Sequence, residues 1–379
     1  MPLLPDGSEK GLKGHFEEDF SHRTRIGLAP RAGHIDRDAP YKRIATEEAW
    51  TFPALVEAQV KYFESGQAPN DDSLKMAGMF SKMPSLQRML QDLGDLRIAH
   101  MDEYGIERQL LLLTAPGVQV VKPGEGTALA RDANDIAADA CARHPDRFSA
   151  AASFDPRDVA GSVREIERAA GLGLNGAVLN SHFQGHYIDE QDYWPILEAL
   201  EAHDLALYIH PTAPYNAPHY ETRGFFGALG GFPHDVWIHT MGLIFSGAFD
   251  RFPRLKLVIG HMGECLPLQL YRFDWMQGNA DNRAGLRANI GGGQPVKLQH
   301  TVSHYFKNNI WITTSGVAWE PAIKFCMEQL GPERVLYAMD YPYQQSSDEV
   351  AAYDRMSLSP EHKKMLMEDN ARKVFNLPG

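Results

Sequence analysis

Short apolar runs recur along the chain from residue 43 onward, and each is separated from the next by a longer stretch with helical spacing. The runs are nearly continuous in apolar residues rather than alternating, which is typical of strands buried on both faces. The pattern predicts strands at 43–47, 108–114, 148–154, 176–181, 205–210, 256–261, 309–315 and 334–340. It predicts helices near 85–104, 127–143, 157–170, 191–203, 235–250, 264–277, 318–329 and 360–375.

Eight strands alternating with eight helices predict an α/β fold, a closed (β/α)8 TIM barrel with an N-terminal extension and long loops over its C-terminal face. A doubly wound open sheet is the alternative, because eight strands do not exclude it. An open sheet would gather ligands near one switch point, whereas the polar strand ends of this chain follow strands 1, 5, 6 and 8. Only a closed ring brings those ends together.

The barrel pattern divides the chain in two. Residues 1–40 are polar and lack apolar periodicity, which predicts an extension or arm, either disordered or wrapped around a partner subunit. Residues 41–379 are predicted to form one catalytic domain. Within it, 51–84, 211–234 and 278–308 do not fit the simple repeat, and we expect them over the barrel mouth or at a subunit interface.

Charge and cysteine content narrow the classes of function. The chain has 37 Lys and Arg against 49 Asp and Glu, a net charge of −12, which argues against nucleic acid as the partner. The three cysteines form no CxxC pair, as is typical of a reducing cytoplasm. No apolar stretch approaches the roughly 20 residues that span a bilayer, and we see no secretory signal. We therefore expect a cytoplasmic protein without a membrane partner.

Groups that can bind a metal or a proton end several of the predicted strands. Glu47, His210 and Asp340 end strands 1, 5 and 8, and a divalent ion needs such oxygen and nitrogen ligands converging from different elements. We predict that these three residues bind one metal ion. Glu48 competes with Glu47, because adjacent strand residues face opposite ways and periodicity alone does not choose between them.

A His-Met-Gly-Glu turn follows strand 6 and supplies His261 and Glu264. The glutamate is able to hydrogen-bond the imidazole and set its tautomer, so the pair is predicted to orient a water or act as general acid and base. The alternative is a purely structural strand-end histidine.

Arginines and one further histidine are candidates for substrate binding. A guanidinium matches a carboxylate bidentately, so Arg88 and Arg272 are predicted to hold an anionic substrate, with Arg97 a weaker candidate. His182 lies just past the end of strand 4, and for that reason it is also predicted to bind the substrate. Most helix arginines and lone histidines are nevertheless surface or structural groups. No phosphate loop follows a strand, and no Gly-x-Ser-x-Gly elbow is present.

In their order and spacing these residues resemble the decarboxylase branch of the amidohydrolase superfamily, which includes γ-resorcylate, 2,3-dihydroxybenzoate and 5-carboxyvanillate decarboxylases and, more distantly, aminocarboxymuconate semialdehyde decarboxylase. The resemblance runs from about residue 43 to the C-terminus. Its motifs are Ile44-Ala-Thr-Glu-Glu-Ala49, Arg97-Ile-Ala-His-Met-Asp102, Thr114-Ala-Pro-Gly-Val-Gln119, Ala130-Arg-Asp-Ala-Asn134, His210-Pro211, His261-Met-Gly-Glu264 and Met339-Asp-Tyr-Pro-Tyr343.

The resemblance implies that Glu47 is the strand-1 ligand. Many members carry Glu-x-His there, but Ala49 stands at the third position of this chain. That departure is similar to the 5-carboxyvanillate subgroup, in which only Glu, His and Asp hold the metal. Tyr343 is another point of similarity, and we expect it to bind the substrate. Loss of an imidazole makes the site more oxygen-rich, which favours Mn²⁺ over Zn²⁺, with zinc as the alternative.

The activity implied is non-oxidative decarboxylation of an ortho-hydroxybenzoate without an organic cofactor. The substrate's carboxylate and phenolate would chelate the metal, and Asp340 would protonate the ring carbon. His261, backed by Glu264, would hold a polar group nearby, and the substrate would be a small aromatic carboxylate. Members of the family are commonly dimers or tetramers, so a homodimer or homotetramer is expected.

Two other classes of function compete. A metal hydrolase of an ester, lactone or amide would use the same ion to activate water, with Asp340 as base, and fold alone does not discriminate. A non-catalytic barrel acting as a scaffold would not need four intact strand-end groups.

Overall fold

A computed structural model of the chain describes residues 33–68, 72–215, 217–225, 227–282 and 297–378. Most of the predicted extension, residues 1–32, lies outside the described residues, as does the Gly291–Gly293 segment of the 278–308 loop. Among the described residues, we find no helix with the length and apolar content that crossing a bilayer requires.

Eight parallel strands form one sheet whose order around the barrel is the order in the chain. Backbone hydrogen bonds from Thr46 N to Tyr337 O (3.1 Å) and from Ala49 N to Tyr341 O (2.7 Å) join the first strand to the segment that directly follows the last. The predicted (β/α)8 barrel is therefore confirmed, and the open sheet was the wrong alternative. The strands are β1 (Ile44–Trp50), β2 (Arg108–Leu113), β3 (Phe148–Ser153), β4 (Gly176–Leu179), β5 (Ala206–Ile209), β6 (Leu257–Ile259), β7 (Ile310–Thr313) and β8 (Val335–Leu336).

Helices surround the barrel and bury their apolar faces against it. They are α1 (Pro53–Glu64), α2 (Asp72–Phe80), α3 (Pro84–Gln91), α4 (Asp95–Tyr104), α5 (Gly126–Arg143), α6 (Val159–Gly171), α7 (Trp194–Ala202), α8 (Ala217–Glu221), α9 (Gly231–Phe245), α10 (Ala248–Arg251), α11 (Leu270–Asn282), α12 (Val302–Asn308), α13 (Glu320–Leu330), α14 (Ser347–Arg355), α15 (Pro360–Lys364) and α16 (Asn370–Val374), with a π-helical turn at Met365–Asp369 between the last two.

The predicted helix at 85–104 is two helices in the structure. The break is built around Asp92, whose Oδ1 accepts hydrogen bonds from the backbone N–H groups of Gly94 (2.9 Å) and Arg97 (3.2 Å). A short carboxylate that binds nearby N–H groups in this way competes with the helix and starts a new one. The first unassigned segment, 51–84, is also largely helical and contains α1 and α2.

A bulge in β1 determines which of its side chains enter the barrel. Ala45 pairs with Gln109 and Glu48 with Leu111, so three steps on β1 match two on β2. An extra residue of this kind bends the strand and re-aims the side chains around it. Thr46 and Glu47 lie in the bulge, at the end of the barrel where the site is built.

The last part of the predicted extension packs against α14 and the end of α4. Backbone N–H groups of Gly33 and Asp36 donate to Asp348 and Asp354 of α14, and Arg37 Nη1 donates to the Asp102 carbonyl at 2.6 Å. Arg43, next to β1, forms a buried ion pair with Asp354 at 2.7 Å. The division into an arm and a catalytic domain stays a prediction.

Asp189, in the loop after β4, is expected to make stability depend on pH. Burial against α9 raises the pKa of its carboxyl to about 6, so its stabilising contribution is present below about pH 4 and is lost as the pH rises through 6. Asp189→Asn should therefore be more stable than the wild type by about 1–2 kcal/mol at pH 7.5, a figure discounted for partial exposure, with no gain at pH 4. Urea denaturation across this range measures the difference.

The matched control is Asp192→Asn, which changes an exposed carboxylate three residues further on. Its free energy of unfolding should track the wild type at every pH. A difference in the free energy of unfolding between Asp189→Asn and the wild type that is the same at every pH would contradict the raised pKa of Asp189.

Candidate metal centre

Glu47 presents one oxygen to protein hydroxyls and the other to the barrel mouth. Its Oε2 accepts a hydrogen bond from Tyr208 Oη of β5. It accepts a second from Thr313 Oγ1 of β7, at a distance of 2.8 Å. Its Oε1 is buried and has no hydrogen-bond partner within the described chain. A buried carboxylate oxygen without a donor is costly, so Oε1 requires a cation or a proton.

Two imidazoles point their Nε2 atoms at that oxygen. His210 Nε2 lies 3.7 Å and His261 Nε2 3.3 Å from Glu47 Oε1. Each ring is held from behind, because Nδ1 of His210 donates to Pro211 O (2.8 Å) and Nδ1 of His261 to Ser315 O (3.1 Å). Since a carbonyl only accepts, Nδ1 carries a hydrogen in both rings. The Nε2 atom of a neutral ring then presents its lone pair to the site, and the Nε2 atom of a protonated ring donates toward Glu47.

The donor set fits a divalent ion. Single ligand atoms of Glu47, His210 and His261 all lie within 4.8 Å of one another. One carboxylate oxygen and two imidazole nitrogens suit Mn²⁺ or Zn²⁺ chemistry. Burial lowers the pKa of His261, but the carboxylates of Glu47, Glu264 and Asp340 outweigh burial and raise it to about 9. The same negative field would attract a metal ion.

Asp340 stands next to this cluster, just past β8, with its backbone at φ +71°. Burial, then Glu47, raises the pKa of its carboxyl well above the usual range, while His261 opposes the shift. The structure thus brings Asp340 into electrostatic contact with the predicted site. It groups His261 with Glu47 and His210, although the sequence suggested no ligand role for His261. The assignment of Asp340 as a ligand and acid stays a prediction.

Glu48 points away from the mouth. Its Oε1 accepts from Met339 N at 3.0 Å and its Oε2 from Gln109 Nε2 at 3.2 Å. Both oxygens are therefore used inside the barrel wall. Of the two adjacent glutamates, Glu47 is the one that faces the site.

The turn that carries His261 and Glu264 is left-handed. Five successive residues, His261, Met262, Gly263, Glu264 and Cys265, have φ between +50° and +68°. Non-glycine residues adopt this conformation at a cost of roughly 1–2 kcal/mol each. Such local strain is found at functional sites, where the surrounding structure holds it in place.

Glu264 lies near His261 but does not set its tautomer, which is a difference from the sequence-based expectation. Ser315 O takes the Nδ1 hydrogen of His261 instead, because the left-handed turn aims the ring at the strand-7 loop. The Oε1 of Glu264 is buried without a hydrogen-bond partner in the described chain. Burial raises the pKa of this carboxyl to about 7.

Gly263→Ala is expected to destabilise the protein. The residue has φ +68°, and an added Cβ would lie 2.9 Å from Ile312 Cγ2 and 3.1 Å from Pro267 Cδ. The combined cost of conformation and overpacking should be about 1–3 kcal/mol in the free energy of unfolding. Gly278→Ala, in α11 with nothing near its Cβ, should not destabilise the protein in the same denaturation assay. Equal stability of Gly263→Ala and the wild type would contradict the expectation.

An apolar wall stands beside the cluster. Ala49 packs with Met83, Leu86 and Leu90 of the α3 region in a cluster separate from the main core, and Phe80 and Tyr343 lie against it. Tyr343 shares a hydrogen bond with Thr114 (Oη–Oγ1 2.6 Å), and its ring centroid is 5.8 Å from that of Phe80. The position that would carry a histidine in a Glu-x-His motif is thus part of an apolar surface.

The predicted substrate arginines are exposed. Arg88 lies in the last turn of α3 and Arg272 in α11, and neither guanidinium makes an ion pair or hydrogen bond within the described residues. Arg97 differs, because it is fully buried and donates to Asp92 O, Gln109 Oε1, Ala49 O and Met89 O. Arg97 therefore binds the barrel wall rather than a ligand.

His182 is held by the main chain on both sides. Its Nε2 donates to Ala213 O at 2.8 Å, and its Nδ1 accepts from Gly185 N at 3.3 Å. No ring nitrogen is left for a substrate. The bonds tie the loop after β4 to the loop after β5, which positions His210 indirectly.

A parallel eight-stranded barrel with a carboxylate and two imidazoles converging at the carboxyl ends of its strands defines a metal-dependent barrel enzyme. The sequence profile of the amidohydrolase family matches residues 86–377. The chain is also 31% identical to the γ-resorcylate decarboxylase of Polaromonas sp. over 305 residues, 78% of this chain and 90% of that protein. The chain therefore belongs to the amidohydrolase family.

Solved structures place it among the decarboxylating members. The 5-carboxyvanillate decarboxylase of Novosphingobium aromaticivorans, with manganese and 4-hydroxy-3-methoxy-5-nitrobenzoic acid, is 41% identical over 91% of this chain and 98% of its own, with a TM-score of 0.85. That of Sphingomonas paucimobilis is 40% identical over 89% and 99%, with a TM-score of 0.82. The resemblance to the decarboxylase branch is confirmed, and with it the prediction of a carbon–carbon lyase of this superfamily.

Proposed function

We propose that this protein is a metal-dependent, non-oxidative decarboxylase of an ortho-hydroxylated aromatic acid of the 5-carboxyvanillate type. The observation that carries the proposal is the convergence of Glu47 Oε1 with the Nε2 atoms of His210 and His261. Manganese-containing 5-carboxyvanillate and dihydroxybenzoic acid decarboxylases with the same fold support it.

The apolar wall and the degree of similarity favour the 5-carboxyvanillate type within that class. Identity is 40–41% to the two 5-carboxyvanillate decarboxylases but 28–30% to the dihydroxybenzoate decarboxylases. Ala49 and Tyr343, the two sequence features of that subgroup, lie on the same wall. A planar aromatic ring that packs there would displace water from the site.

The metal centre would be formed by Glu47 and His210 together with His261 or Asp340. A divalent ion held there supplies Lewis acidity and a template for a carboxylate and its neighbouring phenolate oxygen, and Mn²⁺ is favoured. No organic cofactor is required. Arg88 and Arg272 are the candidates to bind further anionic substituents of the ring, since both guanidinium groups are exposed and unpaired in the described structure.

Asp340 is proposed to deliver the proton. Its carboxyl group transfers a proton to the ring carbon that bears the carboxylate. The bond from that carbon to the carboxylate then breaks, its electron pair restores the aromatic ring, and CO₂ leaves. Asp340 takes its next proton from solvent. His261 and Glu264, held in the left-handed turn, are proposed to hold a polar group of the substrate or a water molecule during the proton transfer.

The test is CO₂ release from a panel of ortho-hydroxybenzoates that includes 5-carboxyvanillate and 2,6-dihydroxybenzoate. The full chain is stripped of metal and re-supplied with Mn²⁺ or Zn²⁺. We expect release that requires metal, is greatest with Mn²⁺ and ranks 5-carboxyvanillate first. Preference for 2,6-dihydroxybenzoate would overturn the substrate type, and no release by folded, metal-loaded protein would overturn the reaction and favour a metal hydrolase.

A further inference from the structure

The two carboxylate oxygens of Glu47 have different hydrogen-bond partners. Oε2 accepts hydrogen bonds from the Tyr208 and Thr313 hydroxyls, whereas Oε1 accepts none within the described chain and faces the Nε2 atoms of His210 and His261. All three side chains are buried, with 1% of Glu47 and none of Tyr208 or Thr313 exposed. Water therefore does not compete for these bonds, and both hydroxyl hydrogens are used on one oxygen.

Three separate strands build this arrangement. Tyr208 lies two residues before His210, so the phenol and the imidazole point to the same face of β5 and its extension. Thr313 is the last residue of β7, and Glu47 lies in the β1 bulge. The hydroxyls thus approach Glu47 from the barrel interior, and the histidines approach it from the mouth.

The backbone of the β6 end restricts the carboxylate further. A Cβ at Gly260 would lie 2.7 Å from Glu47 Oε2 and 3.0 Å from Oε1. The carboxylate is therefore packed against main chain at the residue that precedes His261. Rotation that exchanged the two oxygens would break both hydroxyl bonds, which lie among fully buried side chains.

We propose that Tyr208 and Thr313 are positioning residues that keep Oε2 of Glu47 away from the metal ion, so that Glu47 binds the ion through Oε1 alone. A carboxylate bound through one oxygen occupies one position in the coordination sphere. More positions are then left for two oxygens of a chelating substrate. Neither hydroxyl touches the metal, and both act through Glu47.

The inference rests on the metal centre of the proposed function, but it is tested by metal binding without substrate. The variants are Tyr208→Phe and Thr313→Val, which remove one hydroxyl each and keep the shape of the side chain. Thr313→Ser restores a hydroxyl at the second position. The matched control is Tyr353→Phe, a buried phenol whose own hydrogen bond goes to Thr314 O at 3.4 Å.

Metal-stripped full-length protein is titrated with Mn²⁺, and the free ion is followed by its electron paramagnetic resonance signal. We expect Kd to rise about 10- to 100-fold in Tyr208→Phe and Thr313→Val, as for other residues that orient metal ligands. Thr313→Ser should return to within a few-fold of the wild type, and Tyr353→Phe should match it. The Tm of the metal-free protein is recorded in parallel, because a merely structural role would lower Tm without changing Kd.

Unchanged Kd in both variants would overturn the proposal. If Tyr208→Phe does not fold, the Thr313→Val and Thr313→Ser pair decides it, with loss and rescue supporting the proposal and equal Kd values overturning it. A wild-type protein that binds no Mn²⁺ overturns both the positioning role and the metal centre. One that binds Mn²⁺ through this site but releases no CO₂ overturns the proposed function only.

Discussion

Asp340→Asn is expected to lower kcat by about 10²- to 10⁴-fold with the barrel intact. The amide keeps the size of the carboxyl and one oxygen but has no acidic hydrogen to give to a ring carbon. Asp340 follows β8 in the chain and lies close enough to Glu47 and His261 to interact with both electrostatically. The measurement is CO₂ release at saturating substrate, with Mn²⁺ content and circular dichroism recorded for the same preparations.

Asp348→Asn is the matched control. This carboxylate belongs to α14 and accepts a hydrogen bond from Gly33 N, and its replacement should leave kcat near the wild-type value. Near-wild-type kcat in Asp340→Asn with bound Mn²⁺ would refute the proton-donor role. Loss of activity together with loss of Mn²⁺ would show that the residue acts chiefly as a ligand.

Arg97→Met should be among the most destabilising single changes in this barrel, by about 3–5 kcal/mol. The guanidinium is fully buried and donates to the main-chain oxygens of Asp92, Ala49 and Met89. It also lies over the Tyr341 ring, 4.6 Å from the centroid. Methionine fills much of the volume but removes the guanidinium donors from those buried acceptors.

Arg164→Met, which changes an exposed arginine on α6, should shift the free energy of unfolding by no more than about 0.5 kcal/mol. Urea denaturation of both variants at pH 7.5 makes the comparison. Similarly small changes in the free energy of unfolding for the two variants would mean that the four hydrogen bonds of Arg97 contribute little to the stability of the barrel.

The strands could be predicted from the sequence because burial on both faces leaves a continuous apolar signal. All eight predicted runs contain the observed strands or overlap them, from Ile44–Trp50 to Val335–Leu336. Helix ends were harder to place. The break at Asp92 depends on a side chain that binds nearby N–H groups. The spacing of apolar residues does not report such a bond, so it did not predict the break.

Part of the site could be predicted for the same reason, since polar residues at strand ends stand out from apolar runs. His210 and a glutamate at the end of strand 1 were predicted in this way, and the family resemblance implied Glu47. The approach of His261 to Glu47 was not, because it depends on five residues with positive φ that bring the ring over the mouth. The choice between Glu47 and Glu48 was equally hidden, since strict alternation fails where β1 bulges.

The bulge in β1 also limits how the gene for this protein can change. Substitution along β1 alters single side chains, but deletion of one residue at Thr46 would restore regular pairing with β2. Glu48 would keep its partner Leu111, whereas Glu47 would lose the bulge that turns its carboxylate toward the Tyr208 and Thr313 hydroxyls. In chimeric barrels built from related genes, the crossover points should therefore lie outside Ile44–Trp50. The whole of β1, with its bulge, then comes from one parent.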